Sequence, residues 1–471
     1  MPPQLLVSSV VLNPSATMAM LSWLYCTSVI LGLLRLCSGS PSPLADAMYG
    51  HEENLNLLHH VPSHEVDGVN GGLHVMRDDS SGLILEDHLI RVREALSTES
   101  HEVTFVIKQR NMDKLQSIFH EVSDPANANY GNHLTQEEII DLTSNPESYE
   151  EVLTYLKASG AEIMPSSYSK VLITARGKLS LWERMFDTKF DVYSIRSDKS
   201  YESHSDNNNK TTFTRALKYS VPLSLDSHVA FVKGTVDTPP ELIRSHLPTP
   251  VSHSSSADHS HFTEATRLAG GFVTPQLLND AYNIQDNTGH PSATQAIVAG
   301  FGQVYAPEDL TSFQSFMRLP IQAVDRSING ASYTKSAAWC QQNNLDICAE
   351  TNLDIQYMMG MAATPTWHIY NDERDLSSWL VRLVYSPTPP PLVISFSYGY
   401  EEGYITRDEK RLFDQAAMML GTMGVTIVIA SGDDGGCNPK ARGNPSQCAY
   451  RPSFPNTSPY VTSVGATQVT S

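Results

Sequence analysis

Apolar and polar positions follow two different patterns along the chain, separated by a break near residues 239–265. Before the break, short runs of period two are mixed with amphipathic helical stretches. This mixture predicts a compact antiparallel sheet backed by helices, of the ferredoxin-like α+β type. A capping box at Thr135 predicts one helix start, and a further short helix is expected around residues 83–95. The main predicted strands are 101–107, 170–175 and 190–194, and the main predicted helices are 111–122, 147–158 and 178–186.

Beyond the break, nearly continuous apolar strands alternate with helices. This alternation is typical of a doubly wound parallel α/β sheet. Ligands of such sheets bind beyond the carboxyl ends of the strands, which places Tyr398–Gly399 and Ser431–Asp433 at the expected site. The predicted strands are 296–302, 391–399, 425–433 and 460–466, and the predicted helices lie around Glu350 and at 408–420.

The break itself is rich in Pro, Ser and His and poor in apolar residues, which is typical of an exposed linker open to proteolysis. His253, His259 and His261 offer metal ligands, but a solvated linker is the favoured interpretation. The domains expected are 1–40 signal peptide or anchor, 41–100 polar segment, 101–238 first unit, 239–265 linker and 266–471 second unit.

Glu350 and Asp354 are the most informative residues of the second unit. Read as a helix, residues 347–361 place both carboxylates within an apolar stripe, with Asn352 and Gln356 on the opposite side. Two acids one turn apart repel each other, and burial of unpaired charges is unfavourable. An acid at the rim of such a stripe usually caps an amide or meets an Arg. Two acids at this spacing favour instead a carboxylate pair in a partly dry cleft, suited to proton transfer.

Charge and composition narrow the class of protein. A formal net charge of −19 argues against a nucleic-acid partner, because phosphates need a basic surface. Residues 19–34 are apolar and are followed by small residues at 38–40, a pattern typical of a secretory signal. An uncleaved membrane anchor is the open alternative, so a membrane partner is expected only in that case.

Cysteines and glycosylation motifs support export. Six cysteines are present, and two of them lie in or beside the signal-like run. The other four allow three pairings, of which the short loops are preferred. No zinc motif is present. Asn209 and Asn456 are glycosylation acceptors if the chain is secreted. The preferred disulfides are Cys340 with Cys348 and Cys437 with Cys448.

Several motifs, in the right order, resemble one family. The second unit carries Glu350-x-x-x-Asp354, Ser397-Tyr398-Gly399, Ser431-Gly432-Asp433 and a Phe-Pro-Asn-Thr-Ser-Pro stretch from residue 454. The first unit carries Ser-Asp-Pro from residue 123 and Thr-Gln-Glu-Glu from residue 135. Together they resemble the sedolisins, which are serine-carboxyl peptidases, over most of residues 101–471.

The resemblance implies a subtilisin-like catalytic fold preceded by an activation domain. It implies that Glu350 is the general base, Asp354 its orienting partner and Asp433 the oxyanion-hole acid. Ser397, Tyr398, Gly399, Ser431 and Gly432 would contact a peptide substrate. A carboxyl group donates a hydrogen bond to an oxyanion only while protonated, so activity at acid pH is expected.

The chain departs from the family at the nucleophile. The Ser-Gly-Thr-Ser-like sequence that the family requires does not occur in these 471 residues. The calcium site expected for the complete family domain is missing for the same reason. Ser395, Ser397 and Ser431 already match other family positions. We therefore expect a truncated gene model or a fragment that does not itself form an acyl-enzyme.

Three functions compete at this stage. The first is a secreted or lysosomal-type proenzyme that cuts peptide bonds at acid pH, with interface protonation as the activation trigger. The second is a catalytically dead homologue that binds peptides or a protease. The third is a glycosidase, since two carboxylates can serve glycosyl transfer. Few Trp residues lie near the expected site, so no second feature supports a sugar substrate. Endopeptidase and tripeptidyl-peptidase activities are not separable from sequence.

Overall fold

The computed structural model describes residues 65–67, 73–77, 89–165, 169–195, 212–237, 242–243, 273–285, 289–300, 302–328, 333–343, 345–371, 375–435, 437, 446, 448 and 452–466. The signal-like run, the glycosylation motif at Asn209 and most of the expected linker lie outside these residues. Within them, no helix combines the length and the apolar character needed to cross a lipid bilayer.

The first unit is built on a four-stranded antiparallel sheet with the order β10-β4-β6-β5. The same part of the chain also forms two three-stranded sheets, with the orders β1-β2-β9 and β3-β7-β8. Its elements are β1 Glu65–Asp67, β2 Leu73–Arg77, β3 Leu89–Glu94, β4 Ser100–Ile107, α1 Met112–Ser123, α2 Gln136–Thr143, α3 Pro146–Ala158, β5 Glu162–Ile163, β6 Leu172–Lys178, α4 Leu179–Met185, β7 Asp191–Ile195, β8 Thr212–Arg215, β9 Tyr219–Pro222, α5 Leu223–Asp226 and β10 Val229–Lys233.

The strands and helices of the four-stranded sheet alternate in the ferredoxin-like sense, as the sequence predicts. Aromatic side chains make this sheet stable, because Phe105, Trp182, Phe186 and Phe190 are all buried in its core. Thr135 forms the predicted capping box with Glu138, whose carboxylate accepts a hydrogen bond from the Thr135 N–H at 2.8 Å. Local capping and apolar burial therefore agree on the same fold.

The helix expected around residues 83–95 is wrong. Residues Leu89–Glu94 form strand β3, which pairs antiparallel with β7. The Arg91 guanidinium donates two hydrogen bonds to the Asp191 carboxylate across this pair, at 2.7 and 2.6 Å. Pairing with a distant strand overrides the weak local helical pattern.

The second unit is an α/β sheet with three strands outside it. Its elements are β11 Leu242–Ile243, α6 Pro275–Ala281, β12 Gln295–Ala299, α7 Pro307–Phe316, β13 Arg326–Ile328, α8 Ala337–Asn343, α9 Leu345–Met361, β14 Thr366–Tyr370, α10 Leu376–Val384, β15 Val393–Phe396, β16 Gly399–Glu401, a 3-10 turn Glu402–Tyr404, α11 Arg407–Thr422, β17 Thr426–Ala430, β18 Ser453–Phe454 and β19 Thr462–Val464.

The main sheet of this unit has six strands in the order β13-β14-β12-β15-β17-β19, all paired in parallel. Numbered along the chain, this order is 2-3-1-4-5-6. Helices α6, α7 and α9 supply side chains to the core on one face, and α10 and α11 supply them on the other. The sheet is therefore doubly wound and subtilisin-like, which confirms the predicted fold class.

The first unit continues the core on the α10–α11 side. Its buried side chains Val106, Leu115 and Phe231 belong to the same apolar cluster as Trp379 and Phe413 of the second unit. Polar contacts reinforce this interface. The Leu134 N–H donates to the Thr422 carbonyl at 3.0 Å, and the Gln136 amide donates to the Ser386 carbonyl at 2.8 Å.

The expected linker contains a short strand that its composition does not predict. Leu242 and Ile243 form β11, which pairs antiparallel with Tyr400 and Gly399 of β16. β16 also pairs with β18, so β11 is the edge strand of a three-stranded sheet. Main-chain hydrogen bonds make this pairing, and they need no particular side chains.

His368, in the middle of β14, gives a testable pH dependence. It is fully buried, and burial lowers its pKa from 6.5 to about 4. Between these values the unfolded chain binds a proton that the folded chain rejects, so stability falls as the pH falls through this window. His368→Leu is expected to gain up to about 3 kcal/mol over the wild type between pH 6.5 and pH 4.

Denaturant unfolding across that pH range measures the difference. The exposed His120 provides the matched control, and His120→Leu should leave the wild-type pH dependence intact. Parallel pH curves for the wild type and His368→Leu would show that His368 is protonated in the folded protein.

Candidate active site at the carboxyl edge of the parallel sheet

Helix α9 carries the two predicted acids to the edge of the sheet where the parallel strands end. The helix connects β13 to β14, and therefore runs antiparallel to the strands. Its first half consequently lies near their carboxyl ends. Thr351, Asp354, Ile355 and Met359 are buried on one broad face of the helix, whereas Asn352 and Gln356 are half-buried.

Asp354 is the most deeply placed of the predicted site residues. Its side chain is only 1% exposed. The Ser397 hydroxyl donates a hydrogen bond to Asp354 Oδ1 at 3.1 Å. Burial of a carboxylate is unfavourable unless hydrogen-bond donors surround it. The hydrogen bond from Ser397 therefore offsets part of the free-energy cost of burying Asp354.

Ser397 and Tyr398 lie where the predicted strand 391–399 is interrupted. The sheet strand β15 ends at Phe396, and the chain resumes as β16 at Gly399 in a different sheet. The prediction of one continuous strand is therefore wrong. The two intervening residues leave the main sheet at its carboxyl edge, which turns the Ser397 side chain toward α9.

The Tyr398 hydroxyl lies beside both predicted acids. Burial raises the pKa of Tyr398 well above 10, and the charges of Glu350 and Asp354 raise it further, whereas the Thr351 hydroxyl lowers it. Tyr398 therefore stays protonated and keeps a proton to donate. Both carboxylates therefore act electrostatically on the same phenol, and Glu350 is the more exposed of the two.

The second predicted segment, Ser431–Asp433, lies one strand away at the same edge. It follows β17, which pairs with β15 in parallel register, Phe396 opposite Ile429. The Ser431 N–H donates to the Val464 carbonyl of β19 at 2.9 Å, which fixes the start of the turn. Gly432 adopts φ 93°, and Asp433 and its neighbour Asp434 are half-buried.

Two disulfides brace the loops on either side of this edge. Cys340–Cys348 links α8 to the first turns of α9, just before Glu350. Cys437–Cys448 closes a loop that begins a few residues after Asp433. These are the two short pairings that the sequence favours. The bridges restrict the freedom of the segments that carry the acids.

Other predicted features of the site are spread further apart. Asn456 is half-buried in a turn after β18, with its Oδ1 atom buried. Among the residues that the structure places, no group of three or more His, Cys, Asp or Glu side chains is arranged to hold a metal ion. The calcium site expected for the complete family domain therefore stays a prediction.

Sequence reasoning missed the strand β11 and the buried Lys233. The strand was hidden by a Pro-rich composition that indicates a linker. Lys233, at the end of β10, forms ion pairs with residues more than a hundred positions away, and no local pattern signals such a contact. Only the apolar run before Lys233 marks this position as close to a buried interface.

The chain is similar to known proteins over most of its length. Residues 87–238 match the family model described as "Pro-kumamolisin, activation domain", which begins earlier than the boundary expected at residue 101. The chain is 27% identical to tripeptidyl-peptidase 1 of Canis lupus familiaris over 387 residues, covering 79% of this chain and 62% of that protein. Its identity to the Dictyostelium discoideum protein of that name is 28%, covering 77% of this chain and 61% of that protein.

A solved structure of Pseudomonas sedolisin, a serine-carboxyl proteinase complexed with pseudo-iodotyrostatin, is also similar. It shares 21% identity and covers 42% of this chain and 55% of its own, with a TM-score of 0.32. The chain spans 62% of the length of the canine relative.

Gly432 gives a testable prediction for the turn. Its positive φ is unfavourable for a residue with a Cβ atom, but a Cβ there meets nothing within 4 Å. Gly432→Ala should therefore lose about 1–2 kcal/mol of unfolding free energy from backbone strain alone. Denaturant unfolding measures this loss.

Gly160 in the first unit is the matched control, with φ 82° and the same open surroundings. Gly160→Ala should lose a similar amount of stability. A loss several-fold larger for Gly432→Ala would mean that the turn is held by contacts other than its backbone conformation.

Proposed function

We propose that this chain, which is similar to the sedolisin family of serine-carboxyl peptidases, forms the activation domain and the base-bearing part of a peptidase that acts at acid pH. One observation carries this proposal. Asp354 lies on the same helix as Glu350, is buried at the carboxyl edge of the parallel sheet and accepts a hydrogen bond from Ser397.

Glu350 is proposed as the general base. It is half-exposed, so a substrate-side hydroxyl has access to it, whereas Asp354 is too deeply buried for that task. Glu350 would accept the proton of a serine hydroxyl as that oxygen attacks the peptide carbonyl. It would then return the proton to the leaving amine. Asp354 and Tyr398 would orient Glu350 from behind.

Asp433 is proposed as the acid that donates a hydrogen bond to the oxyanion. It lies in the turn after β17, one strand from Ser397, at the edge where ligands of doubly wound sheets bind. A carboxyl group is a donor only when protonated, so this role requires acid pH. Ser397–Gly399 and Ser431–Gly432 would line the bound peptide.

The attacking serine is the part of the reaction that these residues do not supply. No Ser-Gly-Thr-Ser-like sequence occurs among them. Ser395 is 1% exposed within the sheet, and the Ser397 hydroxyl is engaged by Asp354. The proposed hydrolysis therefore needs a serine of that kind in addition to these residues.

The pairing of β11 with β16 supports a proenzyme. Leu242 and Ile243 lie antiparallel along Tyr400 and Gly399, the second of which is a proposed substrate-binding residue. The uncut chain thus occupies main-chain hydrogen bonds that an extended peptide would otherwise form. Cleavage between residues 239 and 265 would free them. Disulfides and the acid requirement together favour a secreted protein or one of a lysosome-like compartment.

The similarity to proteins named tripeptidyl-peptidase 1 supports a choice of substrate. Release of tripeptides from free N-termini is accordingly proposed ahead of internal cleavage. A peptide panel with free and acetylated N-termini, assayed at acid pH, distinguishes the two. Equal hydrolysis of both forms would assign an endopeptidase instead.

Glu350→Gln tests the proposed base. Loss of the basic oxygen should lower kcat of the full-length gene product by about 10²–10⁴-fold at acid pH, with a smaller change in KM. Steady-state hydrolysis of a tripeptide substrate measures both constants.

Glu308→Gln is the matched control, because Glu308 is an exposed acid at the start of the neighbouring helix α7. It should leave kcat unchanged. Turnover of Glu350→Gln at the rate of this control would remove Glu350 from the mechanism.

The alternative function is a catalytically dead homologue that binds peptides or a protease. Sequencing the transcript past the codon of Ser471 separates the two. A downstream Ser-Gly-Thr-Ser restores the peptidase, and an immediate stop codon leaves the binding protein.

A further inference from the structure

A buried lysine joins the two units beside the parallel sheet. Lys233, the last residue of β10, is 7% exposed. Its ammonium lies 2.5 Å from Asp375 Oδ1 and 3.3 Å from Glu409 Oε1, both in the second unit. It also donates hydrogen bonds to the Ser377 and Ser378 hydroxyls at 3.0 and 3.4 Å. A single side chain of the first unit thus reaches four groups of the second.

Both carboxylates already have a structural role in the second unit. Asp375 is the N-cap of α10, and its Oδ1 accepts a hydrogen bond from the Ser378 N–H at 3.0 Å. Glu409 completes the capping box of α11 with Thr406. Lys233 therefore bridges the N-termini of the two helices that cover this face of the sheet. Withdrawing it would leave two acids facing each other with no cation between them.

A third acid, Asp237, lies on the first unit's side of the same cluster. Its carboxylate accepts a hydrogen bond from the Gly234 N–H. Burial and the nearby charge of Glu409 raise the pKa of Asp237 to about 7, although Lys233 acts in the opposite direction. One cation therefore faces three acids, and Asp237 is the acid that gains its proton near neutral pH.

The remaining titratable groups around the cluster are engaged elsewhere. The His101 ring, on β4, contacts the Gly234 carbonyl at 2.6 Å through Nε2. Lys410, next to Glu409, pairs with Glu402 at 3.3 Å. Neither supplies a second cation to the three acids.

We propose that Lys233, Asp237, Asp375 and Glu409 form a pH-dependent latch that fastens the activation domain more tightly in mild acid than at neutral pH. The latch deepens the proposed function, since it governs when the activation domain leaves the peptidase unit. Protonating Asp237 removes a negative charge from a cluster that has too many, while the Lys233 bridge to Asp375 and Glu409 stays intact.

The sign follows from linkage. A carboxyl whose pKa is higher in the docked form binds more protons there, so docking strengthens as the pH falls from about 7. Burial raises the pKa of Asp375, but the Lys233 ammonium outweighs burial and holds it below 3.8. The bridge is therefore lost only in stronger acid. Asp375 is one-third exposed, so solvent partly screens its ion pair with Lys233.

A nicked chain tests the latch without requiring hydrolysis. A recognition site for a specific protease is inserted among residues 252–258, the chain is cut there, and sedimentation measures dissociation at pH 7.5, 5.5 and 3. Circular dichroism at each pH confirms that both units stay folded. For the wild type, the dissociation constant should be about tenfold lower at pH 5.5 than at pH 7.5, and should rise again at pH 3.

Two variants separate the parts of the latch. Asp237→Asn should bind at pH 7.5 as tightly as the wild type does at pH 5.5, and should lose the difference between these pH values. Lys233→Met, which keeps the apolar stem, should dissociate more readily at both. Glu151→Gln, an exposed acid of the same unit, should match the wild type.

Weaker docking of the wild type at pH 5.5 than at pH 7.5 would overturn the latch, as would a wild-type pH dependence in Asp237→Asn. Neither result would bear on the peptidase proposal, because dissociation is measured without a substrate. Loss of hydrolysis in Glu350→Gln would in turn leave the latch untouched.

Discussion

The burial of Asp354 is the constraint on which the rest of the candidate site depends. A carboxylate that is 1% exposed needs donors held in fixed positions, and Ser397 is one of them. That donor is available only because β15 ends at Phe396 and the chain leaves the sheet there. Helix α9, the strand end and the carboxylate thus specify one another's positions. Glu350 lies one turn earlier on the same helix, so its position is fixed by the same contacts.

The second unit shares one of its cores with the activation domain. Helices α10 and α11 cover the sheet, yet Trp379 and Phe413 belong to a cluster that continues into Val106, Leu115 and Phe231 of the first unit. Removal of the activation domain would therefore expose apolar surface. It would also take Lys233 away from Asp375 and Glu409, the two helix-capping acids that it pairs with. The two faces of the sheet consequently have different roles. One face packs against the helix that carries the acids of the candidate site, and the other packs against helices that contact the first unit.

Much of the fold was predictable from sequence because its elements are locally consistent. The apolar strand 295–299, the capping box at Thr135 and the carboxylate helix all appear where their patterns indicate. Two of the errors share one cause. Residues Leu89–Glu94 became a strand, and Leu242–Ile243 left an apparent linker, because distant strands supplied their hydrogen bonds. Local patterns do not report such partners.

The candidate site was predictable in its acids and less so in its surroundings. The spacing of Glu350 and Asp354 marks both, but the orientation of Ser397 follows from a strand break that the apolar run 391–396 conceals. The position of Tyr398 beside both acids, and the ion pairs of Lys233, depend on tertiary contacts.

The contact between Asp354 and Ser397 is the most direct point at which to test this account. A double-mutant cycle of Asp354→Asn and Ser397→Ala, followed by denaturant unfolding near neutral pH, isolates its coupling free energy. The account predicts a favourable coupling of about 1–3 kcal/mol, as expected for a hydrogen bond to a buried charge. Strictly additive effects of the two substitutions would contradict it, because Asp354 would then not depend on the strand end.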